Sequence, residues 1–195
     1  SMPRHLTPSP SPNRCVNSPG GLTCGGASHA SELRRSLRVA ARFASSLATV
    51  QQVGEGALME WQTFAHEADV GVRGSGSTLA DAFAGAATAL TSVICDSERI
   101  ADREAVTVDC AAPDDELLLV DWLNALIYEM ATRRMLFSRF AVTIENHRLT
   151  ATAWGEPIDI SRHRPAAEVK GASYCELAVG RRADGRWLAQ CVVDV

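Results

Sequence analysis

The stretch FAHEADVGVRGSG, residues 64–76, concentrates side chains that could do chemistry. His66, Glu67 and Asp69 could act as a general acid and base, because imidazole and carboxylate groups transfer protons near neutral pH. In a continuous strand, side chains alternate between faces, so Glu67 and Asp69 would share one face and His66 the other unless the chain turns there. We therefore do not expect a complete acid–base site from these three residues alone.

The glycines of this stretch do not form a phosphate loop. A Walker loop needs a lysine just after its last glycine, and a dinucleotide-binding loop needs G-x-G-x-x-G directly between a strand and a helix. Gly71, Gly74 and Gly76 are three and two residues apart, with no lysine nearby. The pattern indicates a turn or bulge before a helix.

The end of the sequence offers oxygen ligands for a cation. The apolar strand WLAQCVVDV stops at Asp194 and Val195, so a side-chain carboxylate would lie beside a main-chain α-carboxylate. Hard divalent cations prefer several such oxygens, with water completing the shell. We expect Asp69 to be the third ligand; the alternative is that Asp194 is only a solvated terminal residue.

Charged residues also cluster in GEPIDISRHR, residues 155–164, after a predicted strand. Such a cluster is either a solvated loop or a loop that addresses a partner or lies beside a cation. The candidate partner contacts of the chain are His66, Glu156, Asp159, Arg162, His163 and Lys170.

Periodicity predicts the elements that must position these residues. Extended segments are expected on either side of 67–69, and Thr78 with Asp81 predicts a capping box that opens a helix to about Asp96. A second helix is expected over 116–135, capped by Asp114 or Asp115. Further strands are expected over 105–110, 140–144, 149–153, 169–179 and 187–195. Successive strands pair antiparallel, so we predict an α+β fold of two layers, with two main helices on one face of a mostly antiparallel sheet.

Composition divides the chain into an N-terminal extension, residues 1–58, and a domain, residues 59–195. The extension has six arginines and two glutamates, a net charge of +4, and its first 30 residues are rich in Ser, Pro and Gly, which predicts disorder. A basic amphipathic helix is expected over 31–50. The extension resembles an organelle transit peptide; the alternative is an extension without function in a cytoplasmic protein.

The domain carries 13 basic and 21 acidic residues, a net charge of −8. An acidic domain is a poor candidate for gripping RNA, because that affinity comes from Lys and Arg on phosphates, so cations or basic protein surfaces are expected partners. No apolar run approaches the length of a membrane span. The six scattered cysteines predict free buried thiols in a reducing compartment.

Residues 60–195 resemble the archease family, over about 70% of the chain. Five motifs in family order carry the resemblance, namely FAHEADVGVRGSGSTLADAF, LLVDWLNALIYE, GEPIDISRH, VKGASYCELAV and WLAQCVVDV. Two positions depart from the family pattern, since Glu67 stands where a threonine is usual and Cys175 where a histidine follows the tyrosine.

The resemblance implies a non-catalytic, metal-binding activator of an RtcB-type RNA ligase in tRNA splicing or RNA repair. Such a ligase uses GTP to join RNA ends, and the activator promotes its guanylylation and multiple turnover. RNA would be contacted only through the ligase. The implied metal ligands are Asp69, Asp194 and Val195, for a divalent ion with calcium favoured over magnesium or manganese.

Two hypotheses from other classes stay open. A metal-dependent hydrolase would use His66 as a base beside an ion on Asp69, and would turn over without a ligase. A general chaperone or scaffold would need no metal, and Asp194→Ala would then be silent.

Overall fold

The computed structural model describes residues 49–53 and 57–195, and side chains from Met59 onward. Within these residues the elements are β1 (Thr49–Val53), β2 (Ala57–His66), β3 (Asp69–Gly76), α1 (Leu79–Ile94), a 3₁₀ turn (Ser97–Arg99), β4 (Glu104–Ala111), α2 (Asp115–Arg133), β5 (Met135–Glu145), β6 (Arg148–Pro157), α3 (Ile160–His163), β7 (Gly171–Ala172), β8 (Ala178–Arg181) and β9 (Trp187–Asp194). The expected helix over 31–50 lies outside the described residues, apart from its last two, which belong to β1.

Both helix starts follow from the predicted capping residues. The Thr78 hydroxyl accepts the Asp81 N–H at 3.1 Å, and the Asp81 carboxylate accepts the Thr78 N–H at 2.9 Å, which confirms the capping box. Of the two candidate caps for α2, Asp114 fills the position and accepts the Leu117 N–H at 2.8 Å. Helix α2 ends at Arg133, and the capping residue that follows, Arg134, has a left-handed backbone.

The predicted α+β class with antiparallel pairing is confirmed, but the strands divide between two sheets. The large sheet has the order β1-β2-β3-β9-β7, with β8 also on β9, and the small sheet has the order β4-β6-β5. Helix α1 lies between them, packing on β2, β3 and β9 on one side and on β5 on the other. Its residues 82–91 are all buried, which explains why apolar and small residues occupy every side of this helix.

Gly74 lets α1 pack directly on the backbone of the large sheet. A Cβ placed on Gly74 would lie 2.1 Å from the carbonyl oxygen of Ala82 and 2.3 Å from the nitrogen of Ala86. Such contacts are closer than atoms tolerate, so the glycine is required by the close approach. The prediction that the glycines of 71–76 form a turn or bulge is therefore wrong for Gly74. This residue lies within β3 and allows α1 to pack closely on the strand.

Two predicted boundaries shift. The strand expected over 169–179 is two short strands, β7 and β8, because the chain bends over 173–177, where Glu176 has a left-handed backbone with φ 52°. Strand β1 pairs with β2 and lies within the predicted extension, so the large sheet begins upstream of residue 59.

Two expectations about the whole chain can be compared with the described residues. No helix among them is both long and apolar enough to span a membrane. Their four cysteines, Cys95, Cys110, Cys175 and Cys191, are all free thiols, as expected, but the expected burial is wrong for Cys175, which is exposed, and for Cys110, which is half-buried. Burial raises the pKa of Cys191 to about 12, so this thiol is inert in the core.

Candidate metal centre

The pairing of β3 with β9 brings two predicted ligands together. Val70 lies opposite Val193 in this antiparallel pair. Asp69 and Asp194 occupy the next position on each strand, so the register places them side by side at one edge of the large sheet. Residues opposite each other in an antiparallel pair point to the same face, and both carboxylates therefore face the same space.

A tight turn adds His66 to this edge. His66 pairs with Asp69 across the β2–β3 hairpin, and Glu67 and Ala68 form the turn. Glu67 has a left-handed backbone, φ 48°, and is exposed. Because the chain turns here, His66 shares a face with Asp69, which a continuous strand would have prevented.

Lys170 already directs a positive charge at the chain end. Its ammonium donates to a main-chain oxygen of Val195 at 3.0 Å, and its main-chain N–H donates to the carbonyl oxygen of Asp194 at 2.9 Å. Lys170 is the single lysine of a chain in which arginine supplies the other basic residues. This compact ammonium partly neutralises the negative charge at this edge.

Asn124 of α2 fixes the strand beside Asp194. Its side-chain oxygen accepts the Ala172 N–H at 2.8 Å, and its amide nitrogen donates to the Ala172 carbonyl at 3.4 Å. The neighbouring residue of β7, Gly171, pairs with Asp194. Sequence reasoning missed this role, although a polar amide on the inner side of an apolar helix was a usable signal.

The donor set at this edge fits a hard cation. Asp69 is half-buried and Asp194 is exposed, so both carboxylates are accessible from solvent. Within 57–195 no three His, Cys, Asp or Glu side chains form a ligand cluster, so a cation here needs the main-chain oxygens of Val195 and water as well. Oxygen donors with open water positions suit Ca²⁺ or Mg²⁺ better than Zn²⁺, which prefers nitrogen and sulfur.

The predicted partner loop folds around a buried carboxylate, that of Glu156. This side chain is 1% exposed. Its Oε2 accepts from Arg162 Nη2 at 2.7 Å and from Arg103 Nε at 3.2 Å. Its Oε1 accepts the Ala101 N–H at 2.7 Å. The Arg162 hydrogen bond, with those from Ala101 and His163, lowers the pKa of Glu156 to about 2 against the opposing effect of desolvation.

His163 completes this cluster as a neutral imidazole. Its Nδ1 accepts the Asp159 N–H at 2.9 Å, so the proton lies on Nε2, which donates to Glu156 Oε1 at 3.2 Å. Asp159 caps α3 through Oδ1, which accepts the N–H groups of Ser161 and Arg162. Four of the predicted contacts, Glu156, Asp159, Arg162 and His163, are therefore brought together.

Burial decides which of the predicted contact residues can reach a partner protein. His163 and Glu156 are each 1% exposed, so their side chains shape the loop and do not present themselves to a partner. Asp159, Arg162 and Lys170 are exposed. A partner surface, if formed here, would therefore use these three residues.

Comparisons with known proteins agree with this architecture. Residues 61–195 match the model of the Archease protein family (MTH1598/TM1083). Protein archease of Pyrococcus furiosus is 35% identical over 142 residues, covering 71% of this chain and all of that protein. Protein archease of Thermococcus gammatolerans is 37% identical over the same length and coverage.

A solved structure is similar as well. The solution structure of Methanobacterium thermoautotrophicum protein 1598 superposes with a TM-score of 0.62 and 31% identity, covering 69% of this chain and 98% of that one. The family model covers well over half of the chain, and the relatives are matched along their whole length. The chain belongs to the archease family.

Proposed function

We propose that this protein is a non-catalytic, metal-binding activator of an RtcB-type RNA ligase. The observation that carries the proposal is the position of Asp69 beside Asp194 and Val195 in a chain of this family. In the proposed role it promotes guanylylation of the ligase and restores multiple turnover in tRNA splicing or RNA repair.

Asp69, Asp194 and the main-chain oxygens of Val195 would hold the cation. A bound cation would supply positive charge that could neutralise phosphate oxygens at the guanylylation centre. Strand pairing on both sides of β9 fixes the direction of Asp194, and the β2–β3 turn fixes that of Asp69. Lys170 competes with a cation for the Val195 oxygen, since its ammonium lies 3.0 Å away.

The acidic domain suits docking on a protein better than docking on RNA. Its net charge of −8 repels a phosphate backbone and attracts a basic protein surface. Asp159, Arg162 and Lys170 are exposed near α3 and the chain end, and they are the proposed contacts with the ligase. RNA is then held by the ligase alone.

The first test combines Ca²⁺ titration with ligase guanylylation and RNA-joining turnover. Asp69→Asn and Asp194→Asn each remove one ligand charge, and we expect each to weaken Ca²⁺ affinity about tenfold or more and to abolish stimulation. Asp121→Asn is the matched control, because Asp121 is exposed on α2 and its loss changes net charge equally. Lys170→Gln should act in the opposite direction and raise Ca²⁺ affinity, since it removes the competing ammonium.

The outcomes distinguish the competing hypotheses. Stimulation retained by both aspartate variants would keep the ligase partner and remove the ion from the mechanism. Absence of stimulation by the wild-type protein would refute the activator role. In that case the observation that His66 shares a face with Asp69 favours a metal-dependent hydrolase, whose turnover would need no ligase and would be lost in His66→Ala.

A further inference from the structure

A second polar site lies on the face of the large sheet opposite α1. A Cβ on Gly74 would point at α1, so its neighbours in β3, Arg73 and Ser75, point away from the helix. They open into a pocket of about 100 Å³ whose walls are mostly polar. The residues that line this pocket, here called the Arg73 pocket, are Glu60, Trp61, Gln62, Arg73, Ser75 and Arg182.

The guanidinium of Arg73 is fixed in position but has no carboxylate partner. Its Nε donates to Gln190 Oε1 at 2.7 Å, and its Cζ lies 4.8 Å from the centroid of the Phe64 ring. Gln190 is held in turn, because its amide nitrogen donates to the Glu176 carbonyl at 3.0 Å. No carboxylate in 59–195 forms an ion pair with Arg73, so its terminal nitrogens keep their donors for another group.

The charge around the Arg73 pocket favours an anion. Burial and the neighbouring charge of Arg182 both lower the pKa of Arg73, and Glu176 opposes this in part. The one carboxylate in the wall, Glu60, is already paired with Arg186 at 2.9 Å. Two guanidinium groups therefore face the pocket in a domain that is acidic as a whole, and an anion would relieve their repulsion.

The size and the donors of the pocket select the class of anion. Its volume of about 100 Å³ is enough for one small oxyanion. Ser75 is 7% exposed, and its hydroxyl has no hydrogen-bond partner within the described part of the chain. The lining offers one hydroxyl and two guanidinium groups as donors, which is enough to pair with several oxygens of one phosphate group.

We propose that the Arg73 pocket binds a phosphate group, with Arg73 and Arg182 forming charge-assisted hydrogen bonds and Ser75 donating its hydroxyl. The group is either free phosphate or the terminal phosphate of a nucleotide whose remainder lies outside the pocket. Arg73 follows Asp69 by four residues of one strand, about 13 Å, so this site is separate from the metal centre. The proposal does not depend on the ligase.

Titration of the full chain with inorganic phosphate and with GTP, in EDTA so that no metal recruits the anion, tests the proposal. Wild type should bind phosphate saturably, and Arg182→Gln should weaken binding tenfold or more. Arg181→Gln is the matched control, because Arg181 is the adjacent arginine, is exposed, and lies over the Trp187 ring at 5.6 Å. Arg181→Gln removes the same charge as Arg182→Gln and should change the affinity for phosphate less than twofold.

Ser75→Ala provides a second variant with no change in charge, and circular dichroism confirms that each variant is folded. We expect Ser75→Ala to weaken phosphate binding severalfold and to remove the change in amide chemical shift that phosphate causes at residue 75. Tighter binding of GTP than of phosphate, lost in Arg182→Gln, would assign the site to a nucleotide terminus; equal binding would assign it to free phosphate. No saturable binding by wild type, or equal losses in Arg181→Gln and Arg182→Gln, would overturn the proposal.

Discussion

Glu156 is the buried charge that organises the loop between β6 and β7. Glu156→Gln keeps the shape but removes the charge that binds Arg162 and Arg103, so we expect a loss of about 2 kcal/mol in the free energy of unfolding at pH 7. The folded pKa, about 2, lies below the usual 4.5, so the carboxylate stabilises the fold fully above 4.5 and progressively less as the pH falls toward 2. Urea unfolding of the wild type and of Glu156→Gln from pH 7 to pH 2 measures this loss. The difference between their free energies of unfolding should shrink as the pH falls.

Glu168→Gln is the control for this pH series, because Glu168 is exposed and forms no ion pair within the described ranges. It should unfold with the same pH dependence as the wild type. If Glu156→Gln also retained the wild-type pH dependence, the acid sensitivity would have to come from other carboxylates.

At the scale of elements, the contact of α1 with β3 depends on Gly74. Gly74→Ala places a methyl group 2.1 Å from the Ala82 carbonyl oxygen, so the helix must move away from the sheet. We expect a loss of about 3 kcal/mol in the free energy of unfolding, measured by urea titration. Gly180→Ala is the control, because a Cβ on Gly180 would meet no atom within 4 Å, and its stability should match the wild type. Equal stability of the two variants would show that α1 does not pack this closely.

At the scale of the whole molecule, the net charge favours binding to the ligase over direct binding to RNA. The net charge is −4 for the chain and −8 from Met59 onward. We expect no saturable binding of single-stranded RNA at physiological ionic strength, measured by fluorescence anisotropy, because the net negative charge from Met59 onward repels the phosphate backbone. Association with the ligase, measured by biolayer interferometry, should weaken as salt rises. Tight RNA binding without ligase, or ligase binding that is indifferent to salt, would contradict this division of partners.

The sequence determined the features that depend on neighbouring residues. Thr78 with Asp81, and Asp114 or Asp115 with the apolar repeat of α2, indicated where both helices start, because capping hydrogen bonds join residues three positions apart. Alternation specified β4 and the central parts of β5 and β6, and five motifs were enough to indicate the family. The metal ligands could be suggested from their chemistry, but their position relative to one another could not.

Only the tertiary structure decided which distant residues meet. The two-residue turn at Glu67 placed His66 on the face of Asp69, and the register of β3 with β9 placed Asp69 beside Asp194. Burial of α1 between the sheets, the enclosure of Glu156 and the Arg73 pocket likewise depend on packing between segments far apart in sequence. Local patterns fix hydrogen bonds over a few residues, whereas strand register and burial are fixed by contacts that no short stretch contains.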